Sequence, residues 1–377
     1  MKIGFDVAQT CSERAGCAWY ADSLVRELVV RAPGHQFFLY HQFGDWINSA
    51  TEQGTHISAP NVTSTFTDIT PQEAARIWRS PAELVIKTGA PDIVHANSFR
   101  APRVPGARTV FTVYDVSFWA VPHFATEQNR LACQGGLLQA LGTADGFIFI
   151  SENAHTEFER ILPGWIEENN RLWQVTPLAA RPSFALPPAP VASGTPPYWL
   201  AVGSLEPRKN YLALLDALEI YWPLSASPQP LWLAGGDGWN SADVRERITV
   251  LSGRGMVRRL GYVPDAKLSE LYSSATALIF PSWYEGFGLP VLEAMALGCP
   301  ILCSDRSSLP EVGGDAVLYI DPARPGTIAD AMLRLEKDPA LRANCVAANR
   351  ARAEKFSWQH TADATLEFYD RVLRRPT

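Results

Sequence analysis

The chain alternates short apolar runs with amphipathic stretches along almost its whole length, and this pattern constrains the fold more than any other feature. Such alternation is typical of parallel strands connected by helices that cover the sheet. In the first half, the pattern predicts a helix over Ala18–Val30, with Leu24, Val25 and Leu28 at helical spacing. Strands are predicted at Lys2–Val7, Gln36–His41, Asp92–His95, Ala107–Val113 and Gly146–Ser151.

A proline-rich stretch then interrupts the pattern. Six prolines fall between Arg181 and Pro197, which is typical of a semi-rigid connection between domains. The alternation restarts beyond it, with strands predicted at Tyr198–Gly203, Leu231–Gly235, Val257–Tyr262, Ala275–Pro281 and Pro300–Ser304. Helices are predicted at Leu212–Ile220, Asp243–Leu251, Lys267–Ser273, Pro290–Leu297, Gly326–Lys337, Pro339–Lys355 and Trp358–Arg374. Because 377 residues exceed twice the commonest domain size, we predict two doubly wound α/β domains.

Composition argues against several classes of protein. The chain has 33 Lys and Arg against 39 Asp and Glu, a net charge of −6, so a nucleic-acid partner is not expected. No apolar run approaches the ~20 residues of a membrane-spanning helix, and Asp6 lies where a signal peptide would have its apolar region. The six cysteines include no Cys-x-x-Cys pair, which predicts reduced thiols and a cytoplasmic location. The scattered histidines predict no metal site.

The most informative segment is IFPSWYEGFGLPVLEAMALGCP, residues 279–300. An apolar strand leads into a turn with Gly286 and Gly288, and a helix follows. The backbone N–H groups of such a turn can bind a phosphate, and Glu285 and Glu293 beside it can accept hydrogen bonds from hydroxyls. These features together predict a sugar-nucleotide site. The alternative, which the spacing alone favours, is that Glu293 complements the helix dipole and Glu285 is a solvated turn residue.

A second segment, AVGSLEPRKNYLALLDAL at 201–218, places Arg208 and Lys209 between a predicted strand and a predicted helix. Cations at the carboxyl end of a strand face the crevice in which open α/β sheets bind ligands. The alternative is a solvated basic pair. A phosphate cradle predicted in the same half favours a phosphate partner for these cations.

These motifs resemble the retaining GT-B glycosyltransferases of glycosyltransferase family 4, bacterial mannosyltransferases in particular. The resemblance rests on GSLEPRKN (203–210), LAGGDG (233–238), LGYVP (260–264), EGFGLPVLE (285–293) and LPEVG (309–313), and more loosely on TVYDVSF (112–118). It implies two Rossmann-like domains facing a central cleft. The implied divisions are an acceptor-side domain over 1–185, a linker over 186–197, a nucleotide-sugar domain over 198–356 and a helix over 357–377 that crosses back to the N-terminal domain.

The resemblance also implies roles for individual residues. Glu285 would bind the transferred sugar, Lys209 and Arg208 would neutralise the donor diphosphate, and Glu293 would hold the ribose hydroxyls. The other donor-binding residues implied are Gly16, Ser204, Tyr114, Asp115, Gly286, Phe287, Gly288 and Leu289.

Two positions depart from the pattern of the family. Ser204 stands where many relatives have arginine, and Tyr114 stands where many have a histidine that contacts the donor sugar. A phenol can donate a hydrogen bond, but its pKa near 10 makes it a poor proton shuttle. Retaining transfer in this family is thought to use the leaving phosphate as the base. The departure at Tyr114 therefore bears on sugar recognition more than on activity itself.

The resemblance predicts a retaining hexosyltransferase that transfers mannose from GDP-mannose to a glycan or lipid-linked oligosaccharide in surface polysaccharide synthesis. The family works without a metal ion or other cofactor, and the chain contains no Asp-x-Asp motif. We expect the protein in the cytoplasm, with peripheral contact to the inner face of the plasma membrane through the N-terminal domain. Two alternatives remain open: a catalytically silent sugar-nucleotide-binding protein, which Tyr114 and Ser204 motivate, and a GT-B type sugar-nucleotide epimerase.

Overall fold

The computed structural model describes residues 1–11, 16–44, 54–67, 69–184 and 196–375. Residues 186–195 of the predicted linker and residues 376–377 lie outside the described residues. The chain divides into two compact units. The N-terminal unit comprises Met1–Ala120, Glu127–Leu178 and Ser357–Thr377, and the C-terminal unit comprises Val121–Thr126 and Ala179–Phe356.

The N-terminal unit contains a seven-stranded parallel sheet. Its strands are β1 (Lys2–Asp6), β2 (Gln36–Tyr40), β3 (Val62–Thr65), β4 (Ile93–Ala96), β5 (Arg108–Val113), β6 (Gly146–Phe149) and β7 (Leu172–Val175). Its first helices are α1 (Gly16–Arg31), α2 (Pro71–Trp78), α3 (Pro81–Lys87), α4 (Ser117–Ala120), α5 (Glu127–Thr143), α6 (Glu152–Ile161) and α7 (Trp165–Glu168). The strand order is β3-β2-β1-β4-β5-β6-β7. Successive strands are added on one side of β1 up to β3 and on its other side from β4 onward, as in doubly wound folds.

The C-terminal unit contains a six-stranded parallel sheet. Its strands are β8 (Trp199–Val202), β9 (Leu231–Ala234), β10 (Val257–Gly261), β11 (Ala277–Phe280), β12 (Ile301–Ser304) and β13 (Leu318–Ile320). Its helices are α8 (Tyr211–Tyr221), α9 (Ala242–Gly253), α10 (Asp265–Ser274), α11 (Leu289–Ala296), α12 (Leu309–Gly313), α13 (Pro325–Lys337) and α14 (Pro339–Ala353). The order β10-β9-β8-β11-β12-β13 places β8, β11 and β12 side by side at the centre of the sheet. The predicted pair of doubly wound α/β sheets is confirmed.

The last helix, α15 (Trp358–Leu373), belongs to the N-terminal unit. Ser357 caps it by accepting a hydrogen bond from the backbone of His360. Its buried Tyr369 hydroxyl contacts Nδ1 of His95 on β4, and burial lowers the pKa of that histidine to about 3. A neutral histidine can form a hydrogen bond with the tyrosine hydroxyl in the core without a buried charge. None of the helices in the described ranges combines the length and apolarity needed to cross a bilayer.

The units begin and end at positions that differ from the predicted boundary at residue 185. The chain enters the C-terminal unit at Ala179, and Arg181 forms ion pairs with Asp265 and Glu293 of that unit. The segment Val121–Thr126 also groups with the C-terminal unit, where the indole of Trp239 donates to the carbonyl oxygen of Phe124 at 2.6 Å. The proline content of the sequence indicates neither of these boundaries.

Candidate functional site

Loops that follow the neighbouring strands β8, β11 and β12 bring the predicted residues of the C-terminal unit together. The backbone N–H of Trp283 donates to the carbonyl oxygen of Arg208 at 2.9 Å, which joins the first two loops. The backbone N–H of Glu285 donates to Oγ of Ser307, in the third loop, at 2.8 Å. The carboxyl ends of parallel strands meet at one edge of a sheet, which is where open α/β folds bind their ligands.

Glu285 is at the centre of a compact ion cluster. Its Oε1 lies 2.6 Å from Nζ of Lys209, and its Oε2 lies 2.8 Å from Nη1 of Arg208. The other terminal nitrogen of Arg208 lies 2.8 Å from Oε1 of Glu206, which is also buried. Nη1 of Arg208 donates in addition to the carbonyl oxygen of Tyr284 at 2.9 Å. Two cations therefore hold the Glu285 carboxylate in one orientation.

The charges of this cluster determine the ionisation of Glu285. Burial raises the pKa of the carboxyl, since only 6% of the residue is exposed, but Arg208 and Lys209 outweigh burial and bring the pKa below its usual value. Glu285 is therefore ionised at neutral pH. Glu285 is therefore not a solvated turn residue, so that alternative is wrong. The alternative that Arg208 and Lys209 are a solvated basic pair is also wrong, because both contact the Glu285 carboxylate.

The turn between β11 and α11 is held by residues that the sequence analysis did not identify. Oγ of Ser308 lies 2.9 and 2.8 Å from the carbonyl oxygens of Glu285 and Phe287, which share its one hydroxyl hydrogen. Asn210, in the left-handed region with φ +59°, donates through its amide to the carbonyl oxygens of Pro281 and Pro322. The asparagine at the end of the PRKN segment is a signal that could have been noticed, because asparagine tolerates this conformation.

Gly288 is the residue before α11, with φ +111°, a conformation that L-residues other than glycine rarely adopt. A β-carbon here would also lie 2.8 Å from Cδ2 of Leu309. We expect Gly288→Ala to reduce the free energy of unfolding by about 1–3 kcal/mol, the usual cost of backbone strain at one residue. Gly236→Ala is the matched control, since a β-carbon there meets nothing within 4 Å. Equal stability of the two variants in urea unfolding would contradict the assigned strain.

Glu293 lies on the buried side of α11, and its carboxylate is bound by a second arginine. Nε of Arg181 lies 2.6 Å from Oε1 and Nη2 lies 3.0 Å from Oε2, so the pair is bidentate. The hydroxyl of Tyr272 donates to Oε2 at 3.1 Å. Burial raises the pKa of Glu293 above its usual value, although Arg181 and Tyr272 act in the opposite direction. The Glu293 carboxylate therefore has a specific bidentate partner, a contact that the helix-dipole alternative from the sequence does not include.

Ser204 and the four turn residues belong to the same unit as the two carboxylate clusters. Ser204 is partly exposed in the loop after β8. Gly286, Phe287 and Gly288 are buried in the turn, and Leu289 is the first residue of α11.

The remaining predicted residues belong to the N-terminal unit. Tyr114 follows β5 and is 7% exposed; its hydroxyl accepts a hydrogen bond from Nε2 of Gln9 at 3.0 Å. Burial raises the pKa of Tyr114 well above 10, so the phenol stays protonated at neutral pH. Asp115 accepts from the backbone N–H of Ser117 at 2.9 Å. Gly16 is the exposed first residue of α1.

Tyr114 and Asp115 both line one small, partly open pocket. The pocket is lined by aromatic and aliphatic side chains, among them Phe99, Phe118 and Leu137. Phe118 begins an aromatic stretch that ends at Phe124. The structure places it in the wall of this pocket and partly in the core of the unit.

Comparison with known proteins adds independent observations. A family model described as "Glycosyl transferases group 1" matches residues 185–352. The chain is 32% identical to the O-antigen chain mannosyltransferase B of Escherichia coli over 286 residues, which cover 74% of each protein.

Solved structures of similar fold include a sucrose-phosphate synthase from Thermosynechococcus elongatus, with a TM-score of 0.71, 20% identity and 98% of each chain covered. The Anabaena protein HepE, solved in complex with UDP-glucose, has a TM-score of 0.70 and 17% identity over 98% of this chain and all of that one. At these identities the likeness shows the fold, which is the predicted GT-B α/β fold. The family match, the relative and the fold agree, and the chain belongs to the group 1 glycosyltransferases.

Proposed function

We propose that this glycosyltransferase is a retaining, metal-independent mannosyltransferase that uses GDP-mannose. The acceptor is a glycan or a lipid-linked oligosaccharide of a surface polysaccharide, reached at the inner face of the plasma membrane. The C-terminal unit binds the donor, and the N-terminal unit contributes the acceptor side. The similarity to an O-antigen chain mannosyltransferase supports mannose as the transferred sugar.

The observation that carries the proposal is the pair of cations on Glu285, beside the glycine turn at the start of α11. Cleavage of a sugar nucleotide leaves negative charge on the diphosphate, and preformed cations and backbone N–H groups stabilise such charge in a site that excludes water. Lys209 and Arg208 supply the cations. The backbone N–H groups are supplied by the turn that leads into the helix, at Gly286, Phe287, Gly288 and Leu289.

The ionised Glu285 has a complementary role in the proposed reaction. The anomeric carbon gains positive charge as the bond to the diphosphate breaks, and a fixed carboxylate near it stabilises that charge more in the transition state than in the ground state. Glu293 binds ribose hydroxyls, whose hydrogen bonds change little during the reaction. Ser204 is the further donor-binding residue proposed in the C-terminal unit, and Gly16, Tyr114 and Asp115 are those proposed in the N-terminal unit. The leaving phosphate acts as the base for the acceptor hydroxyl, in agreement with a Tyr114 phenol that stays protonated.

The proposal is tested by incubating the purified chain with GDP-mannose and, separately, with UDP-, ADP- and dTDP-sugars. We expect transfer of mannose from GDP-mannose to a mannose-terminated oligosaccharide, with an α-linkage that NMR identifies from the one-bond coupling between the anomeric carbon and its hydrogen. A β-linkage would contradict retention, and transfer from another donor alone would contradict GDP-mannose. Binding without turnover would favour the silent binding protein, and an epimerised donor would favour the epimerase.

Metal independence gives a separate prediction. Transfer is expected to proceed at an unchanged rate in excess EDTA, because Lys209 and Arg208 supply the positive charge that a divalent ion would otherwise supply. The measurement is the initial rate with EDTA and after re-addition of Mn²⁺ or Mg²⁺. Loss of activity in EDTA that either ion restores would contradict the metal-free mechanism.

A further inference from the structure

Arg181 is a buried cation to which neither the sequence analysis nor the proposed function assigns a role. It lies in the segment after β7, two residues after Ala179, where this segment enters the C-terminal unit, and only 8% of it is exposed. Besides its bidentate contact with Glu293, its Nη1 lies 2.6 Å from Oδ1 of Asp265 at the start of α10. Oγ of Ser183 donates to the other oxygen of Asp265 at 3.0 Å. A guanidinium in this position is stabilised by both carboxylates.

The contacts of Glu293 restrict what else it can bind. A carboxylate can accept about four hydrogen bonds, two on each oxygen. In the part of the chain that the structure describes, Arg181 donates to both oxygens and Tyr272 donates to Oε2. With one donor on Oε1 and two on Oε2, one further accepting position belongs to Oε1 of Glu293.

We propose that Arg181 is a positioning residue of the donor site, which holds the Glu293 carboxylate so that the accepting position on Oε1 receives a ribose hydroxyl. The inference rests on the proposed function, in which Glu293 binds the ribose. It adds a residue outside the family motifs to the proposed ribose contact, since Arg181 lies 112 residues before Glu293 in the chain. Arg181 acts through Glu293 and does not itself take part in the chemistry.

The geometry distinguishes positioning from simple charge compensation. A lysine at position 181 would still supply a positive charge, but a single ammonium cannot reproduce two parallel N–H contacts to one carboxylate. Charge compensation alone predicts that lysine is an adequate substitute. Positioning predicts that lysine leaves the protein folded but allows the Glu293 carboxylate to turn, so the donor binds more weakly.

The test is a kinetic comparison of Arg181→Lys with wild type and with Asp265→Asn as the matched control. Asp265→Asn weakens the other ion pair of Arg181 and leaves the contact with Glu293 in place. For Arg181→Lys we expect the donor KM to rise about tenfold, the loss of one charge-assisted hydrogen bond, with kcat within about threefold of wild type. For Asp265→Asn we expect a lower melting temperature with a donor KM within about twofold of wild type.

Each result decides the proposal. A KM for Arg181→Lys equal to that of wild type would overturn positioning, and a lower KM would show that Arg181 obstructs the site. An equal rise in KM for Asp265→Asn would assign the effect to general loosening of the cluster.

A double-mutant cycle tests whether the effect passes through Glu293. In the Glu293→Gln background, Arg181→Lys should change the donor KM by less than about twofold, because the carboxylate that Arg181 orients is gone. Independent, multiplying effects would contradict the proposal. The wild-type protein, measured alongside, separates failure of the proposed function from failure of the positioning role. Absence of transfer in wild type refutes the proposed function. An active wild type with an unaffected Arg181→Lys variant refutes the positioning role alone.

Discussion

Lys209→Ala is expected to reduce kcat/KM for the nucleotide-sugar donor by about 100-fold, the upper range for loss of one charge-assisted hydrogen bond. The substitution removes a cation that neutralises the diphosphate, and it also removes the ion pair at 2.6 Å that orients Glu285. Donor affinity and turnover should therefore fall together. Steady-state kinetics with the donor varied at a saturating acceptor concentration measure both.

Lys267→Ala is the matched control for Lys209→Ala. Lys267 lies in the same unit and pairs with the carboxylate of Glu270, but both side chains are exposed to solvent, where ion pairs contribute little. We expect near wild-type kinetics and stability for this control. If Lys209→Ala behaved like Lys267→Ala, Lys209 would not belong to the donor site.

Glu285→Gln is expected to lower kcat by about 10- to 100-fold, again the range of a charge-assisted hydrogen bond, with a smaller effect on the donor KM. The substitution preserves shape but removes the negative charge proposed to stabilise the anomeric carbon as positive charge develops. The glutamine amide has one accepting oxygen, so it cannot accept hydrogen bonds from Lys209 and Arg208 on two separate oxygens as the carboxylate does. Initial rates at saturating donor measure kcat directly.

Glu293→Gln is the comparison variant for Glu285→Gln, because it removes an equally buried carboxylate that is paired with an arginine. Its effect should fall mainly on the donor KM, since hydrogen bonds to the ribose differ little between ground and transition states. Melting temperatures of both variants show whether each is folded. An unchanged kcat in folded Glu285→Gln would contradict the assignment of Glu285 to the sugar.

The strands at the centres of both sheets were predictable because burial on two faces demands continuous apolar sequence. For example, the prediction Ala275–Pro281 contains the central strand β11, Ala277–Phe280. The prediction missed β3, β7 and β13, and each of these lies at the edge of its sheet. Edge strands have one neighbour, so short and polar sequences such as VTST in β3 suffice there.

In the candidate site, the types of residue were predictable and their pairings were not. The glycine turn, Glu285, Glu293, Arg208 and Lys209 stand in short motifs whose local order can be read directly. Lys209 and Glu285 are 76 residues apart, and no local pattern indicates that they form an ion pair. The contact becomes visible only when the loops after β8 and β11 meet at one edge of the sheet.

The sequence by itself determined the two doubly wound sheets, the glycine turn at the start of α11 and the identity of the charged residues near it. These features depend on hydrophobic periodicity and on backbone preferences, both of which act between residues close in the chain. Only the tertiary structure decided which carboxylate each cation meets, and that Arg181 lies against Glu293 and not in a solvated linker. Ionic contacts depend on distances of a few ångströms between distant segments, and the packing of the parallel strands sets those distances.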